Sequence, residues 1–329
     1  MMQFDRISLG RQSKELGFVR DTFEKVCRLA EVLSFLESDA LLSDSLALKG
    51  GTAINLTIFD MPRLSVDIDM DYSKDVQRET MLQEREQIND HIQKYMLASG
   101  YNLSSKSKQY HALDSFVYEY VNAGGMKDNL KIEINYMLRC HVFPVSRRVV
   151  RVPWNEKRIT VLSVEPLEIF SAKAVALFNR AAARDLYDIF NLQKNRLFDE
   201  SQATVFKKCI MFYSAIASEN VPEHFDFKKI ENISAHRIKT DLKPVLRKDE
   251  HFDLQAGLAR VKEYLEGILL PEEDLSFWKE FANGEYKPEL LFDDSEILSR
   301  IMEHPMARWK CTKNTAEKKK LQTKNRMIF

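Results

Sequence analysis

Seven residues within positions 46–72 have the types and spacing to hold a phosphate and a hard cation: Gly50, Gly51 and Thr52, then Arg63 and Ser65, then Asp67 and Asp69. A Gly-Gly pair lets backbone amides approach an anion with no Cβ in the way, and a following helix adds the favourable end of its dipole. Ala53, Ile54, Leu56 and Ile58 have the apolar spacing of a short buried helix there, and Thr52 adds a hydroxyl. After a turn marked by Asp60, Met61 and Pro62, residues 64–72 read as a strand in which Ser65, Asp67, Asp69 and Asp71 alternate with Leu64, Val66, Ile68 and Met70. Alternation gathers the polar set on one face. Like charges gathered in this way repel unless something positive sits among them, and oxygen ligands suit a hard divalent cation such as Mg2+. A strand with one solvated face gives the same pattern; the preceding Gly-Gly-Thr and the interposed Arg63 favour the metal and phosphate site.

These residues need a scaffold. Leu16, Val19, Phe23, Val26, Leu29, Leu33 and Leu36 recur at helical spacing and predict one or two amphipathic helices within 13–43 that cover a sheet. Residues 79–99 predict another helix, stopped at Gly100. Alternation then returns: Phe116, Tyr118 and Tyr120 mark one strand, Gly124-Gly125 a turn, and residues 130–137 a return strand with Ile132 and Ile134 on one face and Lys131, Glu133 and Asn135 on the other. Residues 149–164 read as further extended structure, broken at Pro153. Pro166 opens a helical regime, so the domain boundary is expected there: 1–164 as a core with N-terminal helices, and 165–329 as a mainly helical domain completing the active site. Residues 165–192 carry an apolar helical stripe with Lys173 beside it, from where it could reach a triphosphate. Arg184 and Asp188, four residues apart, can pair on one helix face. Helices are expected at 201–218, 252–270, 276–282 and 294–301, followed by a basic tail from Arg308 that includes Lys310, Lys313, Lys318, Lys319, Lys320 and Lys324. Such a tail suits a phosphate backbone but also commonly ends a soluble protein.

Gly50, Gly51 and Thr52 followed by Arg63, Ser65, Asp67 and Asp69 resemble the signature of the nucleotidyltransferase superfamily with the DNA polymerase beta type of fold. Within it, GGT then RxSxDxD is most similar to the AbiEii/AbiGii toxin family, which includes the MenT toxins. The resemblance implies an α+β fold, a mixed sheet flanked by helices and followed by a mainly helical C-terminal domain. It also implies Mg2+-dependent transfer of a nucleoside monophosphate from an NTP. Asp67 and Asp69 would hold the metal with Glu133, because the superfamily commonly takes a third carboxylate from an adjacent strand; an exposed strand glutamate is the alternative. Family members carry a lysine and then an Arg-Asp-x-x-Asp element, matched here by Lys173, Arg184, Asp185 and Asp188. The implied catalytic set is therefore Asp67, Asp69, Glu133, Lys173, Asp185 and Asp188, with Asp185 preferred over Asp188. The implied nucleotide-binding set is Lys49, Gly50, Gly51, Thr52, Arg63, Ser65, Lys173 and Arg184. By analogy the acceptor is RNA, the 3′ end of tRNA, with inhibition of translation in a toxin–antitoxin or abortive-infection (phage-defence) setting and a cognate antitoxin as partner. A small-molecule nucleotidyltransferase and a non-catalytic binding module on the same fold are the alternatives.

Composition limits the other classes. The chain has 329 residues, 44% of them hydrophobic, enough for real cores, and 49 Lys plus Arg balance 49 Asp plus Glu. A formal charge of +0 gives no global pull toward nucleic acid, so an RNA contact would need local patches. No apolar run is long enough to span a bilayer, and positions 1–10 lack the features of a signal peptide, so a cytoplasmic location is expected. Cys27, Cys140, Cys209 and Cys311 are scattered, with neither zinc-ligand nor disulfide-framework spacing.

Overall fold

The computed structural model describes residues 4–154, 158–270 and 274–326, with side chains to 315. The chain divides into two units. One comprises Met1–Arg139, Pro144–Pro166 and Ala235–Phe252; the other comprises Cys140–Phe143, Leu167–Ser234 and Asp253–Phe329.

The first unit is built on a sheet. Helices α1 (Arg6–Glu15), α2 (Arg20–Ser38) and α3 (Ala40–Ser45) lead into strand β1 (Leu46–Lys49). Helix α4 (Gly50–Ala53) continues as a π-type turn, Ile54–Ile58, and is followed by strand β2 (Asp67–Tyr72) and helix α5 (Arg78–Ala98). The remaining strands are β3 (Asn102–Leu103), β4 (Lys108–Gln109), β5 (Leu113–Val121), β6 (Lys127–Asn135), β7 (Ser146–Val150) and β8 (Ile159–Ser163). Their order is β3-β5-β6-β2-β1-β8-β7, with β4 beside β5. The sheet is mixed: β2 runs antiparallel to β1 and parallel to β6, and β1 runs parallel to β8.

The alternation seen in the sequence decides which face is core. Leu46, Leu48, Ile68, Met70, Tyr72, Leu130, Ile132 and Ile134 are all buried, as are Phe23, Val26, Leu29, Leu33 and Leu36 of α2. Each such aliphatic side chain contributes about 1.5–3 kcal/mol by leaving water. Helix α2 packs on β6 and β8. Its Arg28 lies 4.2 Å over the Tyr120 ring, while the buried Glu24 carboxylate accepts the Ala123 N–H at 2.9 and 3.0 Å. That contact fixes the turn between β5 and β6, and with it the height of β6 beside β2. Gly100 ends the α5 region with φ +83°, as its position suggests.

One boundary differs from the sequence reading. The strand expected over 64–72 starts only at Asp67. The Leu64 amide instead donates to the Val245 carbonyl at 2.8 Å, and Arg63 bridges to Leu246. The chain there is held by a segment nearly two hundred residues away, which local alternation cannot reveal.

The second unit is helical. It contains α6 (Pro166–Arg180), α7 (Ala183–Lys194), α8 (Glu200–Ala217) and α9 (Lys228–Glu231). The short α10 (Ala235–Arg237) opens the stretch that belongs to the sheet unit. Then follow α11 (Leu254–Leu269), α12 (Ser276–Ala282), α13 (Ser295–Ile301) and α14 (Pro305–Arg326). An aromatic core of Phe206, Phe212, Phe277, Trp278 and Phe281 holds it together, with the Trp278 indole donating to the Met211 carbonyl at 2.8 Å. The basic tail is thus a helix from Pro305, and its Lys310 is buried, donating to the carbonyls of Ser218 and Glu219 at 2.6 Å each. The side chains of Lys318, Lys319, Lys320 and Lys324 lie outside the described residues. All four cysteines are free and buried. Among the described residues no helix is long and apolar enough to cross a membrane.

Candidate active site

The Gly-Gly turn sits where β1 ends. Gly50 has φ +66°, a region that admits glycine without strain, and an added Cβ there would stand 2.5 Å from Asp69 Oδ2 and 3.2 Å from the Asp69 Cβ. A Cβ on Gly51 would stand 2.8 Å from both Arg63 Nη2 and Ser65 Oγ. The signature therefore has a packing cause: the glycines leave room for the aspartate, arginine and serine that follow them in sequence. Thr52, fully buried, donates its hydroxyl proton to the Asp67 carbonyl at 2.5 Å. Asn55 Nδ2 donates to the Gly51 carbonyl at 2.8 Å, and its Oδ1 accepts the Arg63 amide at 3.3 Å. Arg63 is 2% exposed, with Nη1 donating to the Leu64 carbonyl at 2.9 Å, so its guanidinium lies behind the turn. Ser65 is buried too.

The acidic ladder lies beside this turn. In register, Asp69 stands opposite Lys49 on β1 and opposite Glu133 on β6, while Asp67 stands opposite Lys131 and Asp71 opposite Asn135. Residues paired across adjacent strands point to the same face. Where β1, β2 and β6 meet, one face thus gathers the carboxylates Asp67, Asp69, Asp71 and Glu133 with the ammonium groups of Lys49 and Lys131 among them. Lys49 Nζ lies 2.5 Å from Asp71 Oδ1, and Lys131 Nζ lies 2.9 Å from Glu133 Oε2. Among the described residues no three His, Cys, Asp or Glu side chains are gathered closely enough to form a ready-made metal cluster. The donor chemistry nevertheless fits a hard divalent cation, since the carboxylates are oxygen donors and Gly50 lets the Asp69 carboxylate lie against the turn.

The remaining predicted residues lie in the helical unit. Lys173 and Arg180 are two turns apart on α6 and so share a face. Lys173 Nζ is 2.9 Å from Asp185 Oδ1 and 3.3 Å from Asp188 Oδ2, and Arg180 grips Asp185 through Nε at 2.7 Å and Nη2 at 3.0 Å. Burial pushes the Asp185 carboxyl up, but Lys173 and then Arg180 outweigh it, so it is held below the usual aspartate range. The pairing the sequence offered, Arg184 with Asp188, gives way to Lys173 with Asp188, because α6 packs its lysine against both aspartates. A second buried network in this unit joins Glu168 to His141 Nδ1 at 3.0 Å, to the Phe143 amide at 3.2 Å and to the Tyr213 hydroxyl.

The sequence places Asp71 and Lys131 on the polar faces of their strands without assigning them to the site, and it does not single out Asn55 or Arg180. Asp71 and Lys131 continue the period-two pattern of Asp69 and Glu133, which was the available signal. Asn55 and Arg180 had none, since their partners depend on the folded turn and on helix packing.

The architecture is that of a nucleotidyltransferase toxin. The structure is similar to that of MenT4, a nucleotidyltransferase toxin from Mycobacterium tuberculosis H37Rv, with a TM-score of 0.56 at 14% identity, over 95% of this chain and 99% of that one. The family model described as nucleotidyl transferase AbiEii toxin, Type IV TA system, matches residues 34–271, and the chain belongs to this family. A search of curated protein sequences gives no match.

Proposed function

We propose that the chain transfers a nucleoside monophosphate from an NTP to an RNA hydroxyl, the 3′ end of tRNA, with Mg2+ as cofactor, and that this blocks translation until a cognate antitoxin intervenes. The observation that carries the reading is the register of Asp67 and Asp69 on β2 with Glu133 on β6, beside a glycine turn shaped around Asp69. In the reaction, the acceptor oxygen forms a bond to the α-phosphorus, the bond to the bridging oxygen breaks, and pyrophosphate leaves. Glu133 takes the acceptor proton. The backbone amides of the Gly50-Gly51 turn bind phosphate oxygens, and Lys49 supplies a positive charge on the same face. Arg63, Ser65 and Thr52 hold the turn and β2 in place. Asp67, Asp69 and Glu133 would hold the divalent cation, which supplies charge neutralisation at the phosphoryl group. In the helical unit Lys173, fixed by Asp185 and Asp188, is assigned to the phosphates.

An RNA acceptor draws support from α14, where Trp309 is 51% exposed and Lys313 stands 5.9 Å over its ring. An exposed ring with an adjacent cation suits a stacked base and its phosphate. The test is incubation with Mg2+, each α-labelled NTP and total tRNA, beside a variant carrying Asp67→Ala and Asp69→Ala. Label in tRNA with the first protein and none with the second is expected; label in neither RNA nor a small acceptor would overturn the reading.

A further inference from the structure

We propose that Lys131 is a built-in stand-in for the divalent cation: in the metal-free protein its ammonium holds Glu133, and a cation arriving at Asp67, Asp69 and Glu133 displaces it. This rests on the nucleotidyltransferase reading of the carboxylate face.

Lys49 and Lys131 each pair with a carboxylate of that face, and they differ in how tightly they are held. Lys49 and Asp71 are 2.5 Å apart, and the Asp71 side chain is only 5% exposed. Releasing Lys49 would break a short pair to a buried carboxylate, which is costly. Lys49 is therefore a permanent part of the face. Lys131 and Glu133 are 2.9 Å apart, with side chains 37% and 28% exposed. Water can solvate both partners when they separate, and exposed pairs are held weakly. Lys131 is therefore the exchangeable charge. Its position suits the role, because it stands opposite Asp67 in the register and its ammonium rests on Glu133, the carboxylate contributed by the neighbouring strand. A divalent ion interacts with the same oxygens about twice as strongly as a single positive charge at equal distance. It would draw Glu133 toward Asp69 and turn Lys131 out to solvent.

Two readouts test this on the full chain. Isothermal titration with Mn2+ compares the natural protein with Lys131→Met and Lys131→Arg. The methionine variant should bind about two- to fivefold more tightly, the range an exposed pair allows, while the arginine variant keeps the original constant within about twofold. In parallel, amine acylation followed by mass spectrometry should show Lys131 of the natural protein reacting faster with saturating Mn2+, with no change at Lys94, an exposed lysine paired on α5. Equal or weaker Mn2+ binding by Lys131→Met, or unchanged acylation of Lys131, would overturn the proposal. The cation site itself is checked by Asp67→Ala with Asp69→Ala. If that variant loses Mn2+ while Lys131→Met binds as the natural protein does, the stand-in role fails and the nucleotidyltransferase reading stands. If no protein in the set binds Mn2+, both fail.

Discussion

Replacing Gly50 with alanine separates two demands that the turn makes. At φ +66° an L side chain is strained, which costs about 1–2 kcal/mol. The new Cβ would also stand 2.5 Å from Asp69 Oδ2 and 3.2 Å from the Asp69 Cβ, so the carboxylate must leave its rotamer at a further cost of about 0.5–1.5 kcal/mol. The total, about 1.5–3.5 kcal/mol, lowers the melting temperature of the sheet unit by roughly 3–14 °C at the 2–4 °C per kcal/mol expected for its size. Gly100→Ala is the control, because φ is +83° there and nothing lies within 4 Å of the added Cβ, so only the strain remains. Scanning calorimetry of Gly50→Ala, Asp69→Ala and the double variant measures the collision directly. Their coupling should be about 0.5–1.5 kcal/mol, since removing the carboxylate removes the clash. Metal binding should fall for Gly50→Ala and not for Gly100→Ala. Equal melting shifts at both glycines, with additive effects of Gly50→Ala and Asp69→Ala, would refute the packing cause assigned to the signature.

Other outcomes follow from the same contacts. Asp185→Asn should cost about 2–3 kcal/mol at neutral pH, toward the low end for a broken buried pair because Lys173 keeps Asp188 and Arg180 is largely exposed. Because the Asp185 carboxyl is depressed in the fold, its contribution is present above its unfolded value, near 3.8, and is lost as pH falls through the lower folded one. Denaturant melts should therefore show the two proteins converging in acid; a gap that widens there would contradict the ion-pair account. Thr52→Val leaves the Asp67 carbonyl without its hydroxyl donor and should destabilise the sheet unit by about 1–2 kcal/mol in a urea titration, whereas Thr52→Ser should not. Lys173→Ala should raise the nucleotide concentration needed for transfer, read as a higher KM with the circular dichroism spectrum retained, and an unchanged titration would remove Lys173 from the phosphate role.

Much of this architecture is legible in the sequence, for physical reasons. Period-two alternation in 67–72 and 113–135 marks strands because one face is buried, and the same alternation sets the acidic residues on the other face. The hairpin glycines announce the return strand, which does lie beside β2. What escapes depends on distant partners. The start of β2 is set by Val245 and Leu246, and Asp188 meets Lys173 through helix packing, where sequence spacing suggested Arg184. Thr52, Arg63 and Ser65 look like phosphate contacts as a string of polar residues; that all three are buried, with Thr52 on the Asp67 carbonyl and Arg63 on the Leu64 carbonyl, depends on the folded turn. Lys131 is legible only as a strand lysine until its ammonium is found on Glu133.

In the proposed reaction Asp67, Asp69 and Glu133 act as one cation-holding face. Anomalous diffraction from crystals grown with Mn2+ tests it most directly. A manganese peak bonded at about 2.0–2.3 Å to carboxylate oxygens of Asp67 and Asp69, with Glu133 turned toward the ion, is expected. A fully occupied manganese bound elsewhere, with Glu133 still on Lys131, would contradict it.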